Sequence, residues 1–346
     1  MQKAAVAMSG GVDSSLTAAL LQKQGYEVVG VTMQLGAENF HVADVARVAE
    51  TLGIDFHVVD LKDIFREKVV DYFVAEYLRG QTPNPCVRCN REIKFGVLFD
   101  FATSIGADYL ATGHYAQITF EDGRFKLTRA ADLKKDQSYV LYNLTPDKLA
   151  KVLLPLGKFS KSEVRRLAAE FNLPVAQKPD SQEICFVPND DYKNFIANRA
   201  PNAQALQAGN IVDADGKILG QHHGVANYTI GQRKGLGIAA PQPLYVTKLD
   251  VDRRQVVVDT GEKLFTKTLT ARDVHWIYNP TLPKILHAKI RYGSRLTECT
   301  VDEEENLLRV TFAEVQRAVT PGQSIVFYNG EEVIGGAIIQ GGDFDE

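Results

Sequence analysis

The N-terminal third of the chain alternates between short apolar runs and longer stretches with helical spacing. Ala4 to Met8 is a short apolar run and Glu27 to Met33 a near-continuous one, the pattern of a strand buried on both faces, and Ile54 to Asp60 reads as another strand. Between them, Leu16 to Leu21 reads as a helix that Gly25 ends, and Val42 to Leu52 places Val42, Val45, Ala46 and Ala49 at helical spacing. Leu61 to Leu78 predicts a long amphipathic helix and Ile93 to Ser104 another, with a Pro/Cys loop between them. Asp108 to Thr112 predicts a strand ending in Gly113-His114. This alternation implies an α/β domain with a mostly parallel sheet covered by helices. Ligands of such sheets bind at the carboxyl ends of strands, where the stretch after Met8, then Met33, and then Gly113-His114 all fall.

The pattern then changes twice. From Lys158 to Arg199 it is helical and more basic, with Ser160-Lys161-Ser162-Glu163 forming a capping box before Val164 to Phe171. From about residue 205 onward, short β-rich runs such as Tyr245 to Thr247, Gln255 to Val258 and Leu308 to Phe312 are separated by Gly, Asp and Pro turns. The expected division is an α/β domain over 1–200, a central β domain over 201–270 and a C-terminal β-barrel-like domain over 271–346. No internal repeat stands out.

Composition adds limits. A chain of 346 residues, 45% hydrophobic and 24% charged, is that of a globular protein of two or three domains. No apolar run approaches the roughly 18 residues of a membrane span, and no secretory signal opens the chain. Four cysteines, at 86, 89, 185 and 299, do not suggest a disulfide framework. The expectation is a cytoplasmic protein with no membrane partner. The net charge of -4 neither signals nor excludes a nucleic-acid partner.

The strongest chemical signal is Ser9-Gly10-Gly11-Val12-Asp13-Ser14-Ser15, between the first strand and the first helix. Backbone N–H groups, a helix dipole and three serine hydroxyls converge there on an anion site. The stretch fits neither the dinucleotide-binding nor the Walker pattern. It resembles instead the pyrophosphate loop of ATP pyrophosphatases, which split ATP into AMP and pyrophosphate. An aspartate inside an anion-binding turn calls for a cation, so Mg²⁺ is expected at Asp13.

Cys86 and Cys89 form a C-x-x-C pair that admits several readings: a zinc half-site, a redox pair, a single nucleophilic thiol, an iron–sulfur cluster completed by Cys185, or two structural cysteines. Cys185, between Ile184 and Phe186, reads by itself as a buried apolar residue. Lys135 to Tyr139 is a polar cluster that a solvated turn would also explain. Gln221 to Gly224 and Tyr228 to Gly237 combine glycines with basic and aromatic residues. Lys289-Ile290-Arg291-Tyr292-Gly293 predicts a strand whose alternation could offer cations to phosphates and rings to bases.

Taken together, these stretches resemble the tRNA-specific 2-thiouridylases, which thiolate the wobble uridine (position 34) of certain tRNAs. The resemblance spans nearly the whole chain: Ala7 to Ser15, Thr82 to Gly96, Ala111 to Ala116, Asp136 to Tyr139, Asp180 to Phe186, Tyr228 to Ile238, Lys289 to Tyr292 and Ala318 to Gln323. It implies an adenine nucleotide alpha-hydrolase-like first domain, with a helical tRNA-contacting part near 145–200. ATP would be held by Ala7, Met8, Ser9, Gly10, Gly11, Val12, Asp13, Ser14, Met33 and Gly113. Cys89 would be the catalytic thiol and Cys185 the carrier of a persulfide, the two pairing as a disulfide after sulfur transfer. Asn84, Pro85 and Cys86 would face the uridine; His114, Lys135, Asp136, Gln137, Arg291, Tyr292 and Gln323 would contact tRNA. Implied partners are tRNAs of the Lys, Glu and Gln type and a sulfur donor such as a cysteine desulfurase or a sulfur carrier.

The chain departs from the family pattern in three places. Cys86 stands where some members have Asp, which makes a three-cysteine iron–sulfur site more plausible here. Met33 to Val42 is shorter than in many relatives. Gln182-Glu183 replaces a common Thr-Gly. The rival enzymatic reading is a pyrophosphate-loop ligase acting on a small molecule. The rival from another class is a tRNA-binding protein whose loop merely holds nucleotide.

Overall fold

Ala4, Ala5 and Val6 have no exposed surface, as a strand paired on both edges and covered on both faces requires. Strand Lys3–Ala7 is the centre of a five-stranded sheet in this computed structural model, which describes residues 1–36, 42–179, 184–304 and 307–343. The shortened stretch after Met33 falls partly outside the described residues, and Gln182-Glu183 wholly so. Across the sheet the order is Phe56–Asp60, Glu27–Gln34, Lys3–Ala7, Tyr109–Ala111 and Val152–Leu153, and every pairing is parallel. The chain builds outward from Lys3–Ala7 first to one side and later to the other. The carboxyl end of that strand is therefore the topological switch point, where open α/β sheets bind their ligands.

Helix Val12–Lys23 follows at once. It is buried on every side, with Leu16, Ala18, Ala19 and Leu21 almost fully covered. Its hydroxyls do not disturb that core: Ser15 Oγ donates to Gly11 O (2.8 Å) and Thr17 Oγ1 to Asp13 O (2.9 Å). The capping box expected at Ser160 is present and starts helix Lys161–Glu170, which packs Val164 and Ala168 into the core that holds Leu16 and Leu20.

Two elements differ from expectation. The amphipathic stretch 61–78 is helical but not uniform: Lys62–Phe65 is α, Arg66–Val70 is wound as a π-helix, and Asp71–Leu78 is α again. The Pro/Cys stretch is helix rather than loop. Pro85–Cys89 is α-helical, Asn90–Val97 is a π-helix, and Leu98–Ser104 returns to α. Two prolines suggested a stiff loop, but a proline in the first turn costs no helical hydrogen bond and has its φ already set.

The chain forms two compact units. The first comprises Met1–Val70, Cys86–Phe186 and Gly330–Ile334, and the second Asp71–Pro85, Val187–Asn329 and Gly335–Glu346. Helix Asp71–Leu78 thus belongs with the second unit, where Tyr77 meets Tyr192 (ring centroids 4.9 Å apart) and Phe73 meets Phe195 (6.3 Å). That unit carries a four-stranded sheet, Leu244–Asp250, Gln255–Thr260, Gly209–Val212 and Ile218–His222, around Ile211, Val246, Val256 and Val258. It also carries six antiparallel strands in the order Phe265–Trp276, Leu307–Arg317, Thr297–Glu304, Lys284–Lys289, Ser324–Asn329 and Glu332–Asp343. The last pairs back to the first, which closes a barrel and removes the free edges. The change from sheet to barrel falls at the single turn Gly261–Leu264. Residue 270 lies inside the unbroken strand Phe265–Trp276.

The strand expected over Lys289 to Gly293 stops at Lys289, because Ser294 ties the following residues into a turn. Its Oγ accepts from Ile290 N (3.1 Å) and donates to Arg291 O (2.9 Å). Lys289 itself is buried, its ammonium 5.9 Å from the Tyr328 ring centroid, so it offers no cation to a phosphate. Among the described residues no helix is long and apolar enough to cross a membrane.

Candidate active site

The loop after Lys3–Ala7 is built to receive an anion. Gly10 adopts φ +71°, a left-handed conformation in which glycine is favoured, and Gly11 is the helix N-cap. Having no side chain, Gly11 cannot cap, so the first-turn N–H groups are left for a ligand. Ser9 and Ser14 brace the turn: Ser9 N donates to Ser14 Oγ (3.1 Å), and the two hydroxyls lie 3.2 Å apart. Ala7 and Met8 lead into the loop, with Met8 N bonded to Val31 O (2.8 Å), and Met33 stands near the carboxyl end of the neighbouring strand Glu27–Gln34. Gly113 is pressed against the loop. A Cβ there would lie 2.9 Å from both Asp13 C and Ser14 N.

The cation at Asp13 is a lysine. Lys161 Nζ donates to both carboxylate oxygens of Asp13 (2.7 and 2.8 Å), and Tyr115 Oη donates to Oδ1 (2.7 Å). With three donors on two oxygens, Asp13 has little left for a metal. Among the described residues no three His, Cys, Asp or Glu side chains converge to hold one. Asp13 is thus ion-paired with Lys161, and among the described residues no side chains make a metal cage by themselves. Lys178 adds a second ammonium on the same loop, donating to Gly10 O (3.1 Å) and Asp44 Oδ2 (2.7 Å). That hydrogen bond is the main reason the Asp44 carboxyl is held below the ordinary carboxylate range. Neither lysine was singled out from the sequence. The signal was the capping box that begins helix Lys161–Glu170 and turns its first residue toward the loop.

The polar cluster at 135–139 supports this site from behind. Gln137 brackets Tyr115, accepting from Tyr115 N (2.9 Å) and donating its own N–H to Tyr115 O (2.7 Å). The Asp136 side chain is 1% exposed and accepts from Arg129, Ala130 N and Ser138 N. Asp136, expected at the tRNA surface, is an internal clasp. In this cluster Lys135 and Gln137 are half-buried.

His114 is likewise inside, at 7% exposure. Its Nδ1 lies 2.7 Å from Thr112 Oγ1 and its Nε2 3.4 Å from Lys94 Nζ. Burial pushes its pKa well below the ordinary histidine value, so the ring is neutral, and a direct tRNA contact from its nitrogens is not available in this arrangement.

Cys86, Cys89 and Cys185 lie in the first unit and are not joined by a disulfide. Cys86 and Cys185 are exposed and Cys89 is half-buried. Desolvation raises all three, with Cys89 pushed up to about 12, and Cys89 also feels the charge that would form on the other two thiols. The surface exposure of Cys86 and Cys185 makes Cys89 the thiol for which burial matters most. The one charge opposing the shift at all three is Lys94. Cys299, in the barrel, is buried and also pushed to about 12, which fits a structural role.

The remaining predicted contacts lie in the second unit. Asn84 and Pro85 precede the cysteines. Gln323 Nε2 donates to Thr82 O (2.7 Å) and Thr82 N to Pro321 O (2.9 Å), so Gln323 holds the segment leading into Asn84 and Pro85. Tyr292 is 43% exposed, beside Arg291 in the Ser294 turn.

Three family models match in series: a tRNA methyl transferase HUP domain over residues 2–189, a tRNA methyl transferase PRC-barrel domain over 193–260, and an aminomethyltransferase beta-barrel domain over 266–339. A tRNA-specific 2-thiouridylase MnmA from Carboxydothermus hydrogenoformans is 48% identical, the match covering 98% of both chains. The chain belongs to the tRNA-specific 2-thiouridylase family. Further 2-thiouridylases match comparably: one from Clostridium acetobutylicum is 46% identical over 98% of this chain and 99% of its own, and one from Symbiobacterium thermophilum is 47% identical over 97% and 91%. The HUP match contains both the Ser9 to Ser15 loop and the three thiols Cys86, Cys89 and Cys185, while the two barrel matches carry neither.

Proposed function

We propose that this chain is an ATP-dependent tRNA-uridine 2-sulfurtransferase acting on the wobble uridine of tRNAs of the Lys, Glu and Gln type. The observation that carries the reading is the coexistence, in one unit, of a preformed anion loop with two lysines on it and a group of three thiols. Relatives named 2-thiouridylases along nearly the full chain support the choice of acceptor.

In this scheme the uracil O2 attacks the α-phosphorus of ATP and pyrophosphate leaves. The loop N–H groups receive the phosphate oxygens. Asp13 keeps Lys161 in place until the phosphates arrive. Mg²⁺ enters only with the nucleotide, and no step is assigned to it. A sulfur donor, a cysteine desulfurase or a sulfur carrier, first loads Cys185 as a persulfide. The terminal sulfur bonds to C2, and AMP departs with the former O2. The Cys89 thiolate then takes Cys185 Sγ, forming a Cys89–Cys185 disulfide and leaving the S–S electron pair on the sulfur now held by uracil. A dithiol reductant restores both thiols. Arg291, Tyr292, Lys135 and Gln323 are assigned to tRNA binding, directly or by holding the approach segment. The target base must leave the anticodon stack, which costs little in a single-stranded loop.

Incubation with unmodified tRNA, ATP-Mg²⁺ and a cysteine desulfurase, followed by nucleoside mass analysis, tests the reading. The expected result is 2-thiouridine with equal amounts of AMP and pyrophosphate. AMP formed without any thiolated nucleoside overturns it.

A further inference from the structure

The stretch Tyr228 to Gly237 takes no part in the proposed chemistry, yet its turn is fixed more firmly than a solvated turn requires. Gln232 is the hub. Its backbone N–H donates to Thr229 O (3.0 Å), its Oε1 accepts from Thr229 N (3.1 Å) and its Nε2 donates to Lys234 O (3.0 Å). Its carbonyl accepts from Val246 N (3.0 Å) and Gly231 N donates to Val246 O (2.8 Å), so both backbone groups of Val246 clamp the turn to strand Leu244–Asp250. Tyr228 and Leu236, on either side of the turn, are buried in the core with Ile211 and Val256. Two residues are left out of this fixing. Arg233 and Lys234 are exposed, and among the described residues neither makes an ion pair. Two adjacent cations thus stand on a backbone ordered in advance, which lowers the ordering cost when a ligand binds.

The turn is joined to further cations of the second unit. Gly231 has φ +85°, and a Cβ there would lie 2.7 Å from Ala318 Cβ, so the turn rests against the residue that follows Arg317. Arg317 is itself exposed, with its guanidinium 5.0 Å from the ring centroid of Tyr245, the neighbour of Val246. That ring steadies the side chain. The exposed Arg291 donates to Arg317 O (3.4 Å). In a chain of net charge -4, this is a local concentration of positive charge. The group also borders the segment that leads into Asn84 and Pro85. Thr82 Oγ1 donates to Thr229 Oγ1 (3.4 Å), and a Cβ at Gly322 would lie 2.9 Å from Thr82 N.

We propose that Arg233, Lys234 and Arg317 form a phosphate-binding strip for the tRNA strand that presents its uridine to Asn84 and Pro85. This rests on the reading of the chain as a tRNA sulfurtransferase. Neighbouring cations held on a fixed backbone suit the repeating charge of a nucleic-acid strand. Contacts of this kind go to phosphates, so they set the position of the strand and do not select its sequence. The tie through Thr82 to the segment before Asn84 favours RNA over an acidic protein surface as the partner, because a strand delivering a base there has its own phosphates close by.

The test measures binding of unmodified tRNA to the full chain by fluorescence anisotropy across a salt series. With Arg233→Ala and Lys234→Ala together, the dissociation constant should rise about tenfold, and the plot of log affinity against log salt should flatten by about 1.4, the share of two single-strand phosphate contacts. Arg317→Gln should flatten it by about 0.7, and Arg233→Lys should stay within about twofold of the parent. A circular-dichroism melt reports that the fold is kept, and if the double variant unfolds, Arg233→Gln and Arg317→Gln are read in its place. Affinity and salt slope equal to the parent's overturn the proposal. So does a variant that binds tRNA normally but no longer accepts sulfur from a cysteine desulfurase, which would make the strip a docking surface for a protein. A parent chain that binds no tRNA would instead count against the functional reading, so the two failures are distinguishable.

Discussion

The Ser9 to Ser15 loop, proposed to hold phosphates, and the thiol group lie in the same unit but are prepared to different degrees. In the loop, the charge of Asp13 is met by Lys161 and Tyr115, Tyr115 is bracketed by Gln137, and the Ser9 and Ser14 hydroxyls are mutually bonded. Among the thiols, burial favours the unreactive protonated form, and one lysine acts against it. Half of the site is set for its ligand in advance. The other half is held quiet. A loop with the proposed task of binding charged phosphates gains from preorganisation. A thiol kept as thiolate at all times would be oxidised or alkylated, so holding it protonated until it is needed protects it.

The sharpest way to break this contrast is to remove the sulfur chemistry alone. Cys89→Ala or Cys185→Ala should abolish 2-thiouridine formation while tRNA binding, measured by filter retention, stays within about twofold. Wild-type thiolation by either variant would remove the division between an activating half and a sulfur-delivering half.

Next in size is Lys161→Met. It leaves Asp13 uncompensated in a site meant for phosphates, and AMP formation should fall roughly a hundredfold, the scale of a lost charge-assisted hydrogen bond plus repulsion. Adding Asp13→Asn should recover part of the loss in nucleotide affinity. A double variant no better than the single one would mean that Lys161 acts on the nucleotide alone.

Gly113→Ala separates the two regions more finely. Its Cβ would enter the 2.9 Å gap to Asp13 and Ser14, so ATP affinity should fall about tenfold through displacement of the loop. Alkylation of Cys89 should be unchanged, because the added Cβ meets the Asp13–Ser14 backbone and not the thiols. Equal losses at both readouts would show that the strand end couples the two halves mechanically.

The smallest effect is on stability against pH. The His114 pKa is depressed in the folded state, so its contribution is complete above the unfolded value near 6.5. That contribution is lost as pH falls below this value, because the unfolded chain takes up a proton that the folded chain refuses. The slope should reach at most about 1.4 kcal/mol per pH unit, and His114→Gln should remove this share of the acid limb in urea titrations. Cys89 works in the other direction. Its folded pKa is raised, so stability is full below the ordinary thiol range and declines as pH climbs toward about 12.

Much of the architecture was legible because it follows from short-range pattern. The runs at Ala4 to Met8 and Glu27 to Met33, and the strand at Asp108 to Thr112, appear as parallel strands, since apolar runs of that length can be buried only in a covered sheet. The capping box at Ser160 formed as read. The helix through Pro85–Cys89 was not legible, because proline marks a loop and a helix start equally well. The β-strand read over Lys289 to Gly293 failed because one hydroxyl, Ser294, reorganises the backbone, and alternation alone does not reveal that.

What the sequence determined by itself is the chemistry on offer: a pyrophosphate-type loop, three cysteines beside recognisable neighbours, and a β-rich C-terminal part. These are properties of local order, readable from residue type and spacing. What only the tertiary structure decided is which groups answer one another. Lys161 lies 148 residues from Asp13, and His114 lies 20 from Lys94. Asp136 and His114, polar and apparently suited to a surface, turn inward because each finds hydrogen-bond partners there that meet the cost of burial. Pairings of that range depend on how helices and strands pack, and no spacing rule along the chain encodes them.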